Sequence, residues 1–129
     1  MKNIALLGST GSIGRQTLEV VAEFPQDFKV QILAAHSNWQ LILEQAQPYR
    51  PHYVVLTDVA AFDQLKAHWQ GSAAQLLCGM GELLKVLADE PLDLVVGAMG
   101  GAIGIEPTLK ALSLGIDVAL ANKETLVAG

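Results

Sequence analysis

The stretch Leu6-Leu7-Gly8-Ser9-Thr10-Gly11-Ser12-Ile13-Gly14 decides how this chain is read. An apolar run, Ile4 to Leu7, leads into it, and a helical pattern, Arg15 to Phe24, leads out. Glycine at every third position leaves three places without a Cβ, where backbone can approach a ligand closely. The first N–H groups of the following helix have no intrahelical partner and carry the positive end of its dipole. Strand, glycine turn and helix start together make a phosphate site. Thr10 and Ser12 add hydroxyls, and the first helical turn carries Arg15 and no carboxylate to repel an anion. In this context the spacing G-x-x-G-x-x-G points to a nucleotide and is silent on the reaction.

Working outward, Ile13, Thr17, Val20, Val21 and Phe24 recur at helical spacing and predict one apolar face. Phe28 to Ala35 reads as a second strand. Ser37 or Asn38 can cap the next helix, Trp39 to Gln47, which Pro48 and Pro51 end. Tyr53 to Leu56 is a third strand, followed by a helix from Val59 to Trp69 that Thr57 or Asp58 can cap. After a turn at Gly71-Ser72, Gln75 to Cys78 is a short strand and Glu82 to Ala88 a helix. Leu92 to Val96 is a buried strand. Pro107 marks a helix start and Gly115 the position past its end. Ile116 to Ala121 is the final strand. Strands alternating with helices predict an α/β fold: a Rossmann-like, doubly wound parallel sheet in three layers, α/β/α, forming one domain over residues 1–129.

Bulk composition narrows the function classes. The chain is 51% hydrophobic and 16% charged, with a mean hydropathy of +0.36. Parallel strands apolar on both faces account for that, as does a partner domain covering apolar surface. A net charge of −5 without a basic run excludes nucleic-acid binding through a phosphate-tracking patch. The apolar run at the N-terminus stops at Gly8 with no cleavage site, and no stretch reaches the ~18 apolar residues of a membrane span. The expected location is cytoplasmic. Cys78, the single cysteine, reads as a small core residue rather than a nucleophile.

Three further segments carry candidate chemistry. His36-Ser37-Asn38 ends the second strand, where a site for NAD places an Asp or Glu on the ribose 2′-hydroxyl. The missing acid favours NADP. The plainer reading makes His36 a surface loop residue and Asn38 a helix cap. Gly97 to Gly104 either passes close to the nicotinamide-ribose half of a dinucleotide or makes a tight turn against the first glycine loop. Asn122-Lys123-Glu124 follows the last strand and sets polar groups at the same crevice, Lys123 able to meet a substrate phosphate or polarise a carbonyl. Helix capping by Asn122 is the alternative, and it does not require the lysine.

Gly8-Ser9-Thr10-Gly11-Ser12-Ile13-Gly14 together with Leu120-Ala121-Asn122-Lys123-Glu124-Thr125-Leu126-Val127 closely resembles the N-terminal part of the 1-deoxy-D-xylulose 5-phosphate reductoisomerase family. The resemblance implies an enzyme that isomerises and reduces 1-deoxy-D-xylulose 5-phosphate, a phosphosugar, to 2-C-methyl-D-erythritol 4-phosphate in the non-mevalonate route to isoprenoids. It implies NADPH as cofactor, a divalent metal (Mg²⁺ or Mn²⁺) held in the full-length enzyme, and a homodimer. Carried over by position, Thr10, Gly11, Ser12 and Ile13 meet the NADPH phosphates, and His36, Ser37 and Asn38 line the 2′-phosphate region. Asn122 and Glu124 contact NADPH nearer the nicotinamide, and Lys123 the substrate. Many members carry a glycine and a basic residue where this chain has His36 and Ser37; a protonated His36 can supply part of that charge. The abrupt ending at Ala128-Gly129 leads us to expect a fragment, with a C-terminal catalytic domain and its metal ligands further on and no turnover by this piece alone. Other readings are a homoserine- or semialdehyde-dehydrogenase-like cofactor domain and a non-catalytic NADP-sensing module.

Overall fold

The computed structural model describes residues 1–70 and 73–120. Six strands alternate with five helices: β1 (Lys2–Leu7), α1 (Ser12–Glu23), β2 (Phe28–Ala35), α2 (Trp39–Tyr49), β3 (Tyr53–Leu56), α3 (Val59–His68), β4 (Gln75–Cys78), α4 (Met80–Asp89), β5 (Leu94–Gly97), α5 (Gly101–Ser113) and β6 (Asp117–Leu120). The strands form one sheet in the order β4-β3-β2-β1-β5-β6, and every pairing is parallel. The chain winds outward from β1 to β4, returns across the sheet, and winds the other way through β5 and β6. Right-handed crossovers then put the two sets of helices on opposite faces.

The core has two layers because strand residues alternate between faces. Ile4, Leu6, Leu33, Ala35, Val54 and Leu56 pack with Leu18 and Val21 of α1, Ile42 and Ala46 of α2, and Ala61 and Leu65 of α3. Ala5, Leu7, Ile32, Ala34, Val55 and Val95 face the other way, against Leu83, Val86 and Leu87 of α4 and Ala111 of α5. Both faces of the central strands are apolar, which is the source of the high mean hydropathy.

The structure corrects the sequence reading in several places. In α1 the buried residues are Gly14, Leu18 and Val21, while Ile13, Val20 and Phe24 are exposed. Close packing of Gly14 on the preceding turn fixes the rotation of the helix, and that contact outweighs the apolar count. Pro48 lies inside α2, one residue before its end, rather than terminating it. Pro107 is likewise inside α5, which starts six residues earlier at Gly101. The residue at 107 is buried, so packing holds a turn that proline's missing N–H would otherwise weaken. Strand β5 runs Leu94–Gly97, shifted from the expected 92–96, because its register is set by Ile4 to Leu7 of β1. The predicted turn at Gly71-Ser72 lies outside the described residues.

Candidate functional site

The winding reverses between β1 and β5, and there the carboxyl ends of two parallel strands open a crevice, the place where open α/β sheets bind ligands. Leu7 pairs with Gly97, and the Ala98 N–H donates to the Leu7 carbonyl at 2.8 Å. The two loops that leave these strands are in contact. Gly8 has φ +92, and a Cβ there would lie 2.6 Å from the Ala98 carbonyl carbon and oxygen and 2.7 Å from the Met99 nitrogen. Only glycine permits both the backbone conformation and the approach. A Cβ on Gly14 would overlap the Gly8 carbonyl oxygen and lie 2.8 Å from Ser9. Gly11 differs. It caps α1 with an ordinary extended conformation, and the nearest atom to a Cβ on it is 3.8 Å away.

The turn is tied on its inner side. Gly8 and Ser9 donate from their N–H groups to the Ala34 carbonyl at 2.7 and 3.1 Å, and the Gln45 side chain donates to the Ser9 carbonyl at 2.9 Å. Beyond it, the N–H groups of Thr10, Ser12, Ile13 and Gly14 have no acceptor among the described residues. The first turn of α1 contains no acidic residue. Arg15 lies there with its Nε 3.4 Å from the Gly11 carbonyl. Unpaired donors, a helix N-terminus and a nearby cation form an anion cradle.

Thr10, Gly11 and His36 line one open cleft with Gly8, Ala35, Ala98, Met99, Gly100 and Ile103. Sequence reading singled out the first three, and the fold brings them together. Ser12 and Ile13 stand exposed in the first turn of α1, beside the cleft rather than lining it. Residues 36–38 are exposed at the end of β2. His36 Nδ1 is 2.7 Å from the Thr57 hydroxyl, and the His36 carbonyl accepts from the Asp58 N–H at 3.0 Å, which fastens this loop to the next one. The Ser37 carbonyl accepts from the Trp39 N–H at 2.8 Å. Asn38 Oδ1 accepts from the Leu41 N–H at 3.1 Å, so Asn38 caps α2. The stretch 97–104 packs on the first turn through Ala98 and Met99, and its second half is the start of α5. Asn122, Lys123 and Glu124 lie outside the described residues.

Other titratable groups play structural parts. Burial, and then the negative charges of Asp63 and Asp58, raise the Cys78 thiol above its usual range, which keeps it protonated. His52 pairs with Glu90 at 2.5 Å, and His68 stacks on Trp39 with ring centroids 4.7 Å apart. Among the described residues no cluster of three His, Cys, Asp or Glu side chains could hold a metal. No helix among them is long and apolar enough to cross a membrane.

Sheet order, crevice and glycine cradle place this chain in the Rossmann-like class of α/β domains. The sequence profile of 1-deoxy-D-xylulose 5-phosphate reductoisomerase matches residues 4–129, and the chain belongs to that family. A reductoisomerase of Desulfitobacterium hafniense strain Y51 is 46% identical over 129 residues, all of this chain and 34% of the relative. One of Pelotomaculum thermopropionicum is 50% identical over 130 residues, 99% of this chain and 33% of the relative. The chain thus spans about a third of the length of the curated relatives it matches. Among solved structures, the Zymomonas mobilis enzyme in complex with NADPH superposes with a TM-score of 0.88 at 31% identity, covering 99% of this chain and 34% of that one. A crystal structure of DOX-P reductoisomerase with fosmidomycin and magnesium gives 0.90 at 32% identity, covering 98% and 32%. Family membership removes the homoserine- and semialdehyde-dehydrogenase alternatives.

Proposed function

We propose that this chain is the NADPH-binding domain of a reductoisomerase that converts 1-deoxy-D-xylulose 5-phosphate to 2-C-methyl-D-erythritol 4-phosphate. The observation that carries the reading is the cradle itself: four unpaired N–H donors at a helix N-terminus, beside a cleft at the switch point of the sheet. The residues fit a pyrophosphate, because glycine at 8, 11 and 14 keeps side-chain atoms out of the turn. Thr10, Gly11, Ser12 and Ile13 would hold the phosphates. His36, Ser37 and Asn38 would hold the 2′-phosphate, with His36 kept in place by Thr57. Asn122 and Glu124 would contact the nicotinamide half and Lys123 the substrate. Bound NADPH supplies the hydride of the reduction. The divalent metal, the rest of the substrate site, a homodimer and a cytoplasmic setting belong to the same proposal, with the metal ligands in the part of the enzyme that follows this domain.

Titration with NADPH tests it. Saturable binding, tighter for NADPH than for NADH, is the expected result, with no oxidation of NADPH by the 129-residue chain when substrate and Mg²⁺ are added. Indifference between the two cofactors, or no saturable binding, overturns the reading.

His36 offers a sharper check. His36→Asp puts a carboxylate where the 2′-phosphate would lie and offers NADH the ribose acceptor it lacks. The NADPH dissociation constant is expected to rise about tenfold, equivalent to roughly 1.4 kcal/mol, with NADH unchanged or tightened. Equal changes for both cofactors remove His36 from the 2′-phosphate region.

A further inference from the structure

Gln45 is out of place on stability grounds. It lies on the buried stripe of α2 with Ile42 and Ala46 and is 8% exposed. Its Oε1 has no hydrogen-bond partner, and neither has the fully buried Ser9 hydroxyl. Burying an amide with half its capacity unused costs free energy that a leucine or methionine would not incur. What the amide does achieve is one bond: Nε2 donates to the Ser9 carbonyl at 2.9 Å. Among the described residues it is the only side chain from outside α1 that bonds to the turn between β1 and α1.

That bond sets the direction of a peptide dipole. A trans peptide is planar, with its C=O and N–H pointing opposite ways, and the described chain has no cis peptide. Holding the Ser9 carbonyl inward on Gln45 turns the Thr10 N–H outward, on the side where Thr10 lines the cleft. The Thr10 N–H is also one of the four donors here without an acceptor among the described residues. Without Gln45 the Ser9 carbonyl is left buried and unpaired, and rotating the Ser9–Thr10 peptide to reach water relieves it. The rotated peptide presents a carbonyl oxygen to the anion in place of an N–H. Asn38, which caps the same helix seven residues earlier, stands at the proposed 2′-phosphate region. One rigid helix therefore links the two halves of the nucleotide site.

We propose that Gln45 is a positioning residue for the cofactor, fixing the Ser9–Thr10 peptide with its N–H towards the phosphates. The proposal rests on the NADPH reading above. Its test compares two probes in the protein that carries this domain: NADPH, which reaches the turn, and adenosine 2′-monophosphate, which reaches only the end of β2. Gln45→Met keeps the length and apolar packing and removes the donor. The NADPH dissociation constant is expected to rise about tenfold, while that of adenosine 2′-monophosphate stays within about twofold. General loosening of the domain moves both probes alike, and that outcome, or an unchanged NADPH constant, overturns the proposal. If wild-type protein shows no saturable NADPH binding, the cofactor reading itself falls; wild-type binding with an unaffected Gln45→Met variant sinks Gln45 alone. A wild-type measurement covers a variant that does not fold. The Thr10 amide proton is expected to shift on addition of NADPH and to stay in place with adenosine 2′-monophosphate. A Thr10 amide indifferent to NADPH overturns the proposal.

Discussion

Gly14→Ala is expected to destabilise the domain on the order of 4 kcal/mol, with a fall in Tm of roughly 15 °C. The new methyl group would overlap the Gly8 carbonyl oxygen and crowd Ser9. Neither can give way, because the Gly8 and Ser9 N–H groups are bonded to Ala34 on the central sheet. The helix must move instead, and α1 carries Leu18 and Val21 out of the core as it does so. Gly11→Ala, three residues earlier in the same motif, separates folding from binding. Its backbone conformation suits alanine, and the nearest atom to the added carbon is at ordinary contact distance, 3.8 Å. Only the poorer capping propensity of alanine counts against it, about 1 kcal/mol. Gly11 lines the cleft, so the methyl lands where the phosphates are proposed to lie. We expect Gly11→Ala to keep a near-wild-type Tm and raise the NADPH dissociation constant at least tenfold. Thermal melts and cofactor titrations of the two variants check both claims. Equal melting temperatures would show that Gly14 is not packed as described.

The contrast among these glycines marks what a sequence displays and what it hides. β2 was legible to the residue, Phe28–Ala35, because apolar Phe28 and Val30 alternate with Lys29 and Gln31 and then run on into Ile32-Leu33-Ala34-Ala35. The phase of α1 was hidden, since it depends on which residue touches the turn rather than on how many apolar side chains recur. The start of α5 was hidden for a related reason. Gly100-Gly101-Ala102-Ile103-Gly104 has weak intrinsic helix preference, and it is helical because Gly104 packs on the Met99 carbonyl oxygen and the next turn buries Pro107. Within the site, Thr10, Gly11 and His36 announced themselves by motif and by position after strands. Ala98 and Met99 could not, because their contact with Gly8 spans 90 residues and follows only once β5 is known to lie beside β1. Gln45 was missed because a glutamine in a helix reads as solvent-facing. Its spacing from Ile42, three residues, was the available signal that it sits on the buried stripe.

Gly8→Ala tests the junction between the two loops, and its effect should be comparable, about 3 kcal/mol or more. Two costs combine. Alanine at φ +92 is strained by roughly 1–3 kcal/mol, and its Cβ would press on the Ala98 carbonyl and the Met99 nitrogen. Moving Gly8 aside breaks its bond to Ala34, at 2.7 Å. Moving Ala98 aside breaks its bond to Leu7, at 2.8 Å. The second costs less, because Ala34 belongs to β2, which has two further strands beyond it, whereas β5 has only β6 beyond it. The β5–α5 loop should therefore yield first. Hydrogen exchange reads this directly: in Gly8→Ala the Ala98 amide is expected to lose protection while the Gly8 amide keeps it. Loss at both would mean the whole sheet has opened, and retention at both would mean the two loops are not wedged together. Because Gly8, Ala98 and Met99 all line the cleft, the same shift should widen it on the β5 side. NADPH affinity should fall even at temperatures where the variant remains folded.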